Sequence, residues 1–331
     1  MSTETTDAKR KIILAGGAGF LGQALAAYFG QTQWEVVVLT RSPGQPGMLG
    51  RPVAWDAVSS GPWQTELDGA MAVVNLTGKS VDCRYNARNR REILASRVNS
   101  TRVLGQAIAA CAQPPQAWFN ASTATVYRHT FDQAWDEKGQ TEASAEAQDR
   151  FSVEVAWAWE QALAEAETPR TRKVALRTSM VLGLGRNSVF PMLCRLTRFG
   201  LGGRMGSGRQ FVSWIHQRDY CRAVEWLIAH QEIVGPVNLT SPHPVENREM
   251  MRTLRQVCGV PFGLPAAGWM LEVGAFLLRT ETELVIKSRR VIPGRLLESG
   301  FTFQFPTIRE AFENLAGRAT ATSPGTPYSG D

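Results

Sequence analysis

Seven residues near the amino terminus, 16-GGAGFLG-22, carry the first chemistry that can be read from the chain. They follow an apolar run, KIILA (11–15), and lead into a helix-like QALAAYF. The three glycines at this spacing have separate tasks. Gly16 permits a tight turn, Gly19 lets backbone approach a pyrophosphate, and Gly22 lets helix and strand pack closely. The amides that open the helix, those of Phe20 and Leu21 among them, then face the phosphates with the positive end of the helix dipole behind them. A strand before and a helix after are the context in which such a pattern points to a dinucleotide.

A site for NAD places Asp or Glu about 20 residues further on, where it holds the ribose hydroxyls. Here no acidic residue lies between Glu35 and Asp56. The second apolar run ends instead in Leu39-Thr40-Arg41-Ser42. A guanidinium flanked by two hydroxyls suits a 2′-phosphate, because arginine meets phosphate oxygens with two parallel bonds. Thr40 and Arg41 therefore predict NADP(H) as the cofactor.

The elements that must position these groups alternate along the chain. EVVVLT (35–40), AVVNL (72–76), AWFNAS (117–122) and KVALRT (173–178) read, with KIILA, as buried parallel strands. Segments near 20–30, 86–112, 149–167 and 188–199 read as crossover helices. This predicts the α/β class, with an open, doubly wound parallel sheet of Rossmann type. From about residue 200 the pattern loosens into a Gly-rich loop, a strand-like QFVSWIH and several helices, which predicts a smaller C-terminal α/β lobe. The expected division is a mobile leader (1–10), an NADP-binding domain (11–200), a substrate or partner lobe (201–317) and a mobile tail (318–331).

Composition narrows the partners. Of 331 residues, 44% are hydrophobic and 20% charged, as in an ordinary globular protein, and the net charge of +6 is spread along the chain rather than gathered in a basic arm. That argues against nucleic acid and for a small-molecule substrate, with an anionic one allowed. The five cysteines form no C-x-x-C pair, so neither a disulfide framework nor a metal site is expected, and a cytoplasmic location fits. The most apolar run, 266-AAGWMLEVGAFLL-278, is short for a membrane span and contains Glu272, so it reads as a buried helix. A homodimer is compatible with all of this.

With these residues in view, the chain resembles an extended short-chain dehydrogenase/reductase. It is similar in particular to the atypical branch called epimerase family proteins, which has its own C-terminal domain of uncharacterised function. The resemblance covers roughly residues 11–316. It rests on GGAGFLG, LTRSPG, VVNLTG, SRVNSTRVL, ASTATVY and LRTSMVLG, and on 200-GLGGRMGSGRQFVSWIH-216, 238-NLTSPHPVEN-247 and 293-PGRLLESGFTFQFP-306. It implies that Leu76, Thr77 and Gly78 line the cofactor's central ribose and pyrophosphate. It also implies that Glu92 and Arg97 face the pocket, and that Val181 offers backbone to the nicotinamide amide.

In such enzymes a Ser or Thr on the fifth strand binds the substrate oxygen, a Tyr transfers the proton and a Lys activates the Tyr. Thr123 matches the first position. The Tyr and Lys positions fall in 151-FSVEV-155, where Phe151 and Val155 can move no proton. The resemblance then leaves Thr123 with Tyr127, the nearest phenol, as the catalytic candidates, and Lys79, Arg209 and His216 as candidate substrate contacts. Tyr127 packing under its loop, and His216 and Asp219 fixing the start of the helix RDYCRAVEWLIAH, are the alternatives. Two functions stay open: an NADP(H)-dependent oxidoreductase or epimerase-like enzyme acting on a small molecule, and a non-catalytic NADP(H)-binding regulatory protein with a protein partner.

Overall fold

The computed structural model describes residues 10–147, 149–185, 187–266 and 287–317. The main strands are β1 (Arg10–Ala15), β2 (Trp34–Thr40), β3 (Arg51–Ala54), β4 (Ala72–Asn75), β5 (Ala117–Thr123) and β6 (Arg172–Thr178). The remaining strands are β7 (Met180–Leu182), β8 (Phe211–Val212), β9 (Trp214–His216), β10 (Gly235–Leu239) and β11 (Val245–Glu246). The helices are α1 (Phe20–Phe29), α2 (Ala87–Ala110), α3 (Arg150–Ala164), α4 (Val189–Leu196), α5 (Gln217–Ala229), α6 (Asn247–Cys258), α7 (Gly294–Glu298) and α8 (Ile308–Leu315).

Seven strands form one parallel sheet in the order β10-β6-β5-β4-β1-β2-β3. Alternate residues of each strand face opposite sides. Ile12, Leu14, Val36 and Val38 pack with Leu25 and Phe29 of α1 and with Tyr220 and Val224 of α5. Ile13, Ala15, Val37 and Leu39 pack on the other face with Val103 and Leu104 of α2 and Leu163 of α3. Both faces are covered, which is why the strands read as unbroken apolar runs. The chain winds outward in both directions from β1 and β4, so their carboxyl ends flank the crevice where a doubly wound sheet binds ligands.

Beyond residue 200 the chain adds again to the main sheet and its helices. α5 packs against α1, and β10 returns to the main sheet as the neighbour of β6. Two strands of the main sheet were not anticipated, β3 and β10. Each is short, each holds a proline (Pro52 and Pro236), and each lies at an edge of the sheet, where a missing N–H breaks no ladder. The smaller lobe is built on a separate core that joins Phe190 of α4, Trp214, Met250 and Leu254 of α6, and Phe312 of α8. The strand-like QFVSWIH resolves into β8 and β9, which pair with β11 and β7 respectively. The expected helix at 266–278 and most of both terminal segments lie outside the described residues.

Candidate cofactor and active site

β1 ends in a turn that only glycine can make. Gly16 adopts φ +73°, and a Cβ there would lie 2.7 Å from the Thr77 hydroxyl and 3.0 Å from the Thr77 backbone. Gly17 is equally constrained, since its Cβ would meet the Leu14 carbonyl oxygen at 2.8 Å, and a Cβ on Gly22 would lie 2.3 Å from the Gly17 Cα. Gly19 differs. The nearest heavy atom to a Cβ there is the Gly16 carbonyl oxygen at 3.9 Å, so the space above it is open. Gly19 caps α1 without a side chain, and no acidic residue stands in the first turn. The leading amides of α1, those of Phe20, Leu21 and Gly22, have no partner within the helix.

Across the turn, β4 continues into Leu76, Thr77 and Gly78. The Leu76 amide donates to the Ala15 carbonyl oxygen (2.8 Å) and the Thr77 amide to the Asn75 side-chain oxygen (3.1 Å). Asn75 is itself fixed by donating to Asn120 Oδ1 (2.7 Å) in a buried contact between β4 and β5. The Thr77 hydroxyl is buried with no hydrogen-bond partner. An orphaned hydroxyl beside an open glycine and a bare helix N-terminus is what a bound pyrophosphate would complete, so the residues present fit a dinucleotide. At the outer end of the cradle Thr40 is buried, its hydroxyl accepting from the Ser42 amide (3.2 Å), while Arg41 is exposed. Asp56, the next acid along the chain, spends its carboxylate on the amides of Val58 and Ser59 (2.8 Å each).

The β4–α2 loop forms one wall. Two of its expected contacts are spent on each other. Lys79 pairs with Glu92 and also donates to Asn89 (2.9 Å), and the second oxygen of Glu92 accepts from Arg88 (2.8 Å). These two cations hold the Glu92 carboxyl down at about 2. Lys79 and Glu92 thus pair with each other at the start of α2. Arg97 does stand at the cradle: its guanidinium carbon lies 3.1 Å from where a Gly78 Cβ would be, and 5.0 Å from the centre of the Trp159 ring of α3.

The carboxyl end of β5 carries Thr123, half-buried, whose hydroxyl accepts from the Thr125 amide (3.1 Å) and meets the Thr125 hydroxyl (3.0 Å). Tyr127 lies beneath, not at the strand's mouth. It is fully buried, and its hydroxyl donates to Asn238 Oδ1 (2.8 Å) and accepts from Arg177 (2.9 Å). Burial pushes this phenol up to about 12, against the lowering pull of Arg177 and Asn238. Arg177 makes two further bonds to Glu160 (2.8 Å each), which also accepts from Ser122 (2.6 Å). The knot ties β5, α3, β6 and β10 together under the crevice. The expectation that Tyr127 transfers a proton thus gives way to its alternative, packing under the loop: a phenol enclosed by protein and bonded on both sides has no path to a substrate.

The other sequence candidates separate. Val181, half-buried in β7, packs on the sheet core, and the Phe20 ring lies against the following loop, where a Cβ on Gly183 or Gly185 would meet it at 2.6 and 2.4 Å. Arg209 is exposed on the loop before β8, hydrogen-bonded only locally through its own amide to Ser207 (3.2 Å). His216 is buried, and its Nδ1 accepts from the Arg218 amide (3.1 Å) as the cap of α5, with its ring tilted against Phe305. Asp219, fully buried, accepts from the amides of Gln304 and Phe305 and from Arg222 (2.8 Å each). Both hold the lobe to α5. Among the described residues no group of His, Cys, Asp and Glu side chains could hold a metal, and no helix is long and apolar enough to cross a membrane.

Sequence reasoning missed Tyr85. It ends the β4–α2 loop and packs edge-on against Phe151, with ring centres 5.0 Å apart. No spacing rule connects the two; the contact exists only once the loop has folded over α3.

A glycine turn, an open helix N-terminus and a facing β4 loop at the switch point define a dinucleotide-binding protein of the Rossmann class. The chain belongs to the NAD dependent epimerase/dehydratase family, whose model matches residues 12–239, and residues 266–315 match a domain of unknown function, DUF1731. It is 30% identical over 305 residues to the epimerase family protein YfhF of Bacillus subtilis, covering 92% of this chain and 97% of that one. The human epimerase family protein SDR39U1 is 29% identical over 308 residues, covering 92% and 99%. The crystal structure of the human protein with NADPH has a TM-score of 0.80 at 28% identity, covering 93% of this chain and all of that one. A nucleoside-diphosphate sugar epimerase from Corynebacterium glutamicum has a TM-score of 0.74 at 27% identity, with 95% of this chain covered and 59% of that one.

Proposed function

We propose that this protein is an NADP(H)-dependent oxidoreductase or epimerase-like enzyme acting on a small molecule. The observation that carries the reading is the cradle at Gly16, Gly19 and Thr77, where close-packed backbone surrounds an unpartnered buried hydroxyl. Bound there, NADP(H) would supply a hydride donor or acceptor. The first-turn amides of α1 and the Thr77 hydroxyl would hold its pyrophosphate, and Arg41, with no competing acid at the strand end, would hold the 2′-phosphate. The relative solved with NADPH supports the same choice. Thr123, at the end of β5 beside the crevice, would donate a hydrogen bond to the reacting oxygen. Phe151 and Val155 leave α3 without the usual pair. That lack favours, as second reading, a non-catalytic NADP(H)-binding regulator. One experiment separates them: calorimetric titration with NADPH and NADH, followed by a screen of carbonyl and alcohol compounds monitored by nicotinamide absorbance. NADPH binding with turnover supports the enzyme, binding without turnover the regulator, and no binding refutes both.

A further inference from the structure

We propose that Tyr85 is the proton-transferring group of this site and that Arg97 is the cation that stabilises its phenolate. The pair would replace the absent Tyr and Lys of α3, and the proposal rests on the reading of the site given above.

The placement comes first. Tyr85 ends the β4–α2 loop and lies edge-on to Phe151, so a phenol approaches α3 from outside at the turn where the family keeps its own. The loop is rigid. The Lys79 amide donates to the Ser96 hydroxyl (2.9 Å), Asn86 caps α2 by accepting from the Asn89 amide (2.8 Å), and Asn89 in turn donates to the Arg84 carbonyl oxygen (2.7 Å). Arg90 clamps the two rings. It donates to the Tyr85 carbonyl oxygen (2.7 Å), and its guanidinium lies 5.9 Å from the Tyr85 ring centre and 4.7 Å from that of Phe151. Tyr85 is half-buried, which suits a group that must meet a ligand.

The charge comes second. Arg97 donates to the carbonyl oxygens of Lys79 (3.1 Å) and Ile93 (3.0 Å) through one terminal nitrogen, and no carboxylate pairs with it among the described residues. Burial pushes this guanidinium down to about 10, and the nearby Tyr85 and Cys83 oppose the fall. A buried cation close to a phenol favours the phenolate. Around the loop, Lys79 and Arg88 both pair with Glu92, Arg150 of α3 pairs with Glu154, and Asp82, Arg84 and Arg91 are the further charged groups in or beside it. Arg90 lies over the Tyr85 ring, and Arg97 is the buried cation that Tyr85 acts on. In the reductive direction the phenolic proton would pass to the substrate's carbonyl oxygen as the carbonyl carbon gains hydride from NADPH. Water would then reprotonate the phenolate.

The test does not require the natural substrate. Tyr28, Tyr127 and Tyr220 are all pushed up by burial. The 13Cζ resonance of Tyr85, identified by its loss in Tyr85→Phe, should titrate at least one pH unit below the free-phenol value of about 10. Arg97→Met should raise that midpoint by about one unit or more, and Arg97→Lys should keep most of the shift. Titration at or above the free value, or a midpoint indifferent to Arg97→Met, would overturn the pair. The wild-type titration decides even if Arg97→Met fails to fold. With 9,10-phenanthrenequinone as probe and NADPH as reductant, Tyr85→Phe should lower kcat by about 10²-fold while NADPH affinity stays within about twofold. An unchanged kcat, or no turnover by the wild-type protein, overturns the catalytic assignment. A wild-type protein that binds no NADPH yet shows the low titration would sink the proposed function and leave the Tyr85–Arg97 pairing standing.

Discussion

Tyr127→Phe distinguishes a buttress from a catalyst. The substitution removes one oxygen and leaves the ring in place. In the wild-type protein that oxygen donates to Asn238 and accepts from Arg177, which is itself buried between Glu160 and the phenol. Asn238 Oδ1 then loses its donor, at roughly 1 kcal/mol, and one N–H of a buried guanidinium is left without an acceptor, at roughly 1.5–3 kcal/mol. The expected cost is therefore about 2–4 kcal/mol. At about 2.1 cal/mol/K of unfolding entropy per residue, that corresponds to a fall in melting temperature of about 3–6 °C. Differential scanning calorimetry reads it directly, and NADPH affinity should stay within about twofold, because no atom of Tyr127 faces the cradle. An unchanged melting temperature would refute the argument that the hydroxyl holds β6 and β10 together. Weakened NADPH binding at unchanged stability would return Tyr127 to the site.

Three further expectations follow from the same geometry. Gly19→Val should fold with a near-normal melting temperature yet lose NADPH binding, because only the open side of the turn is filled, whereas Gly22→Ala should destabilise the fold itself through its 2.3 Å approach to Gly17; calorimetry and ligand titration on both variants check the contrast. Arg41→Asp should erase a preference for NADPH over NADH of about ten- to a hundredfold, the worth of one charge-assisted contact, and equal affinities in the wild-type protein would refute the 2′-phosphate assignment. His216 is buried, which pushes its pKa down from 6.5 to about 3, with Asn314 opposing and Arg218 assisting. Because the folded value is the lower one, its stabilising contribution is complete above pH 6.5 and is lost as pH falls toward 3. At pH 5 the loss is about 2 kcal/mol. Urea midpoints at pH 7 and pH 5 should show it, and His216→Asn, which keeps a capping oxygen but cannot titrate, should reduce the difference.

How much of this was written in the sequence depends on how far apart the partners lie. The glycine turn, the five long strands and the doubly wound sheet are local patterns, and they were legible because burial on both faces forces continuous apolar runs and a pyrophosphate forces glycines. The edge strands β3 and β10 escaped because prolines and shortness, tolerated only at an edge, resemble loops. Side-chain roles were harder. Lys79 and Glu92 each looked available in isolation, and only the folded loop brings them together to cancel. Tyr127 stands near Thr123 in the chain, but its hydroxyl is spent on Asn238, 111 residues away, across two strands.

The reverse holds for Tyr85. In the sequence it is one aromatic in a basic stretch, CRYNARNRR, with nothing to mark it. A phenol gains catalytic meaning only from what surrounds it, and here that is Phe151 on α3, Arg90 one turn into α2 and Arg97 two turns beyond. The chemistry of the Tyr-x-x-x-Lys pair needs a phenol and a cation within about 4–6 Å of one another at the sheet edge, and it places no demand on which element delivers them. A helix can lose both groups if a neighbouring loop and helix supply their equivalents. Under that proposal Phe151 is the ring against which the phenol of Tyr85 is held.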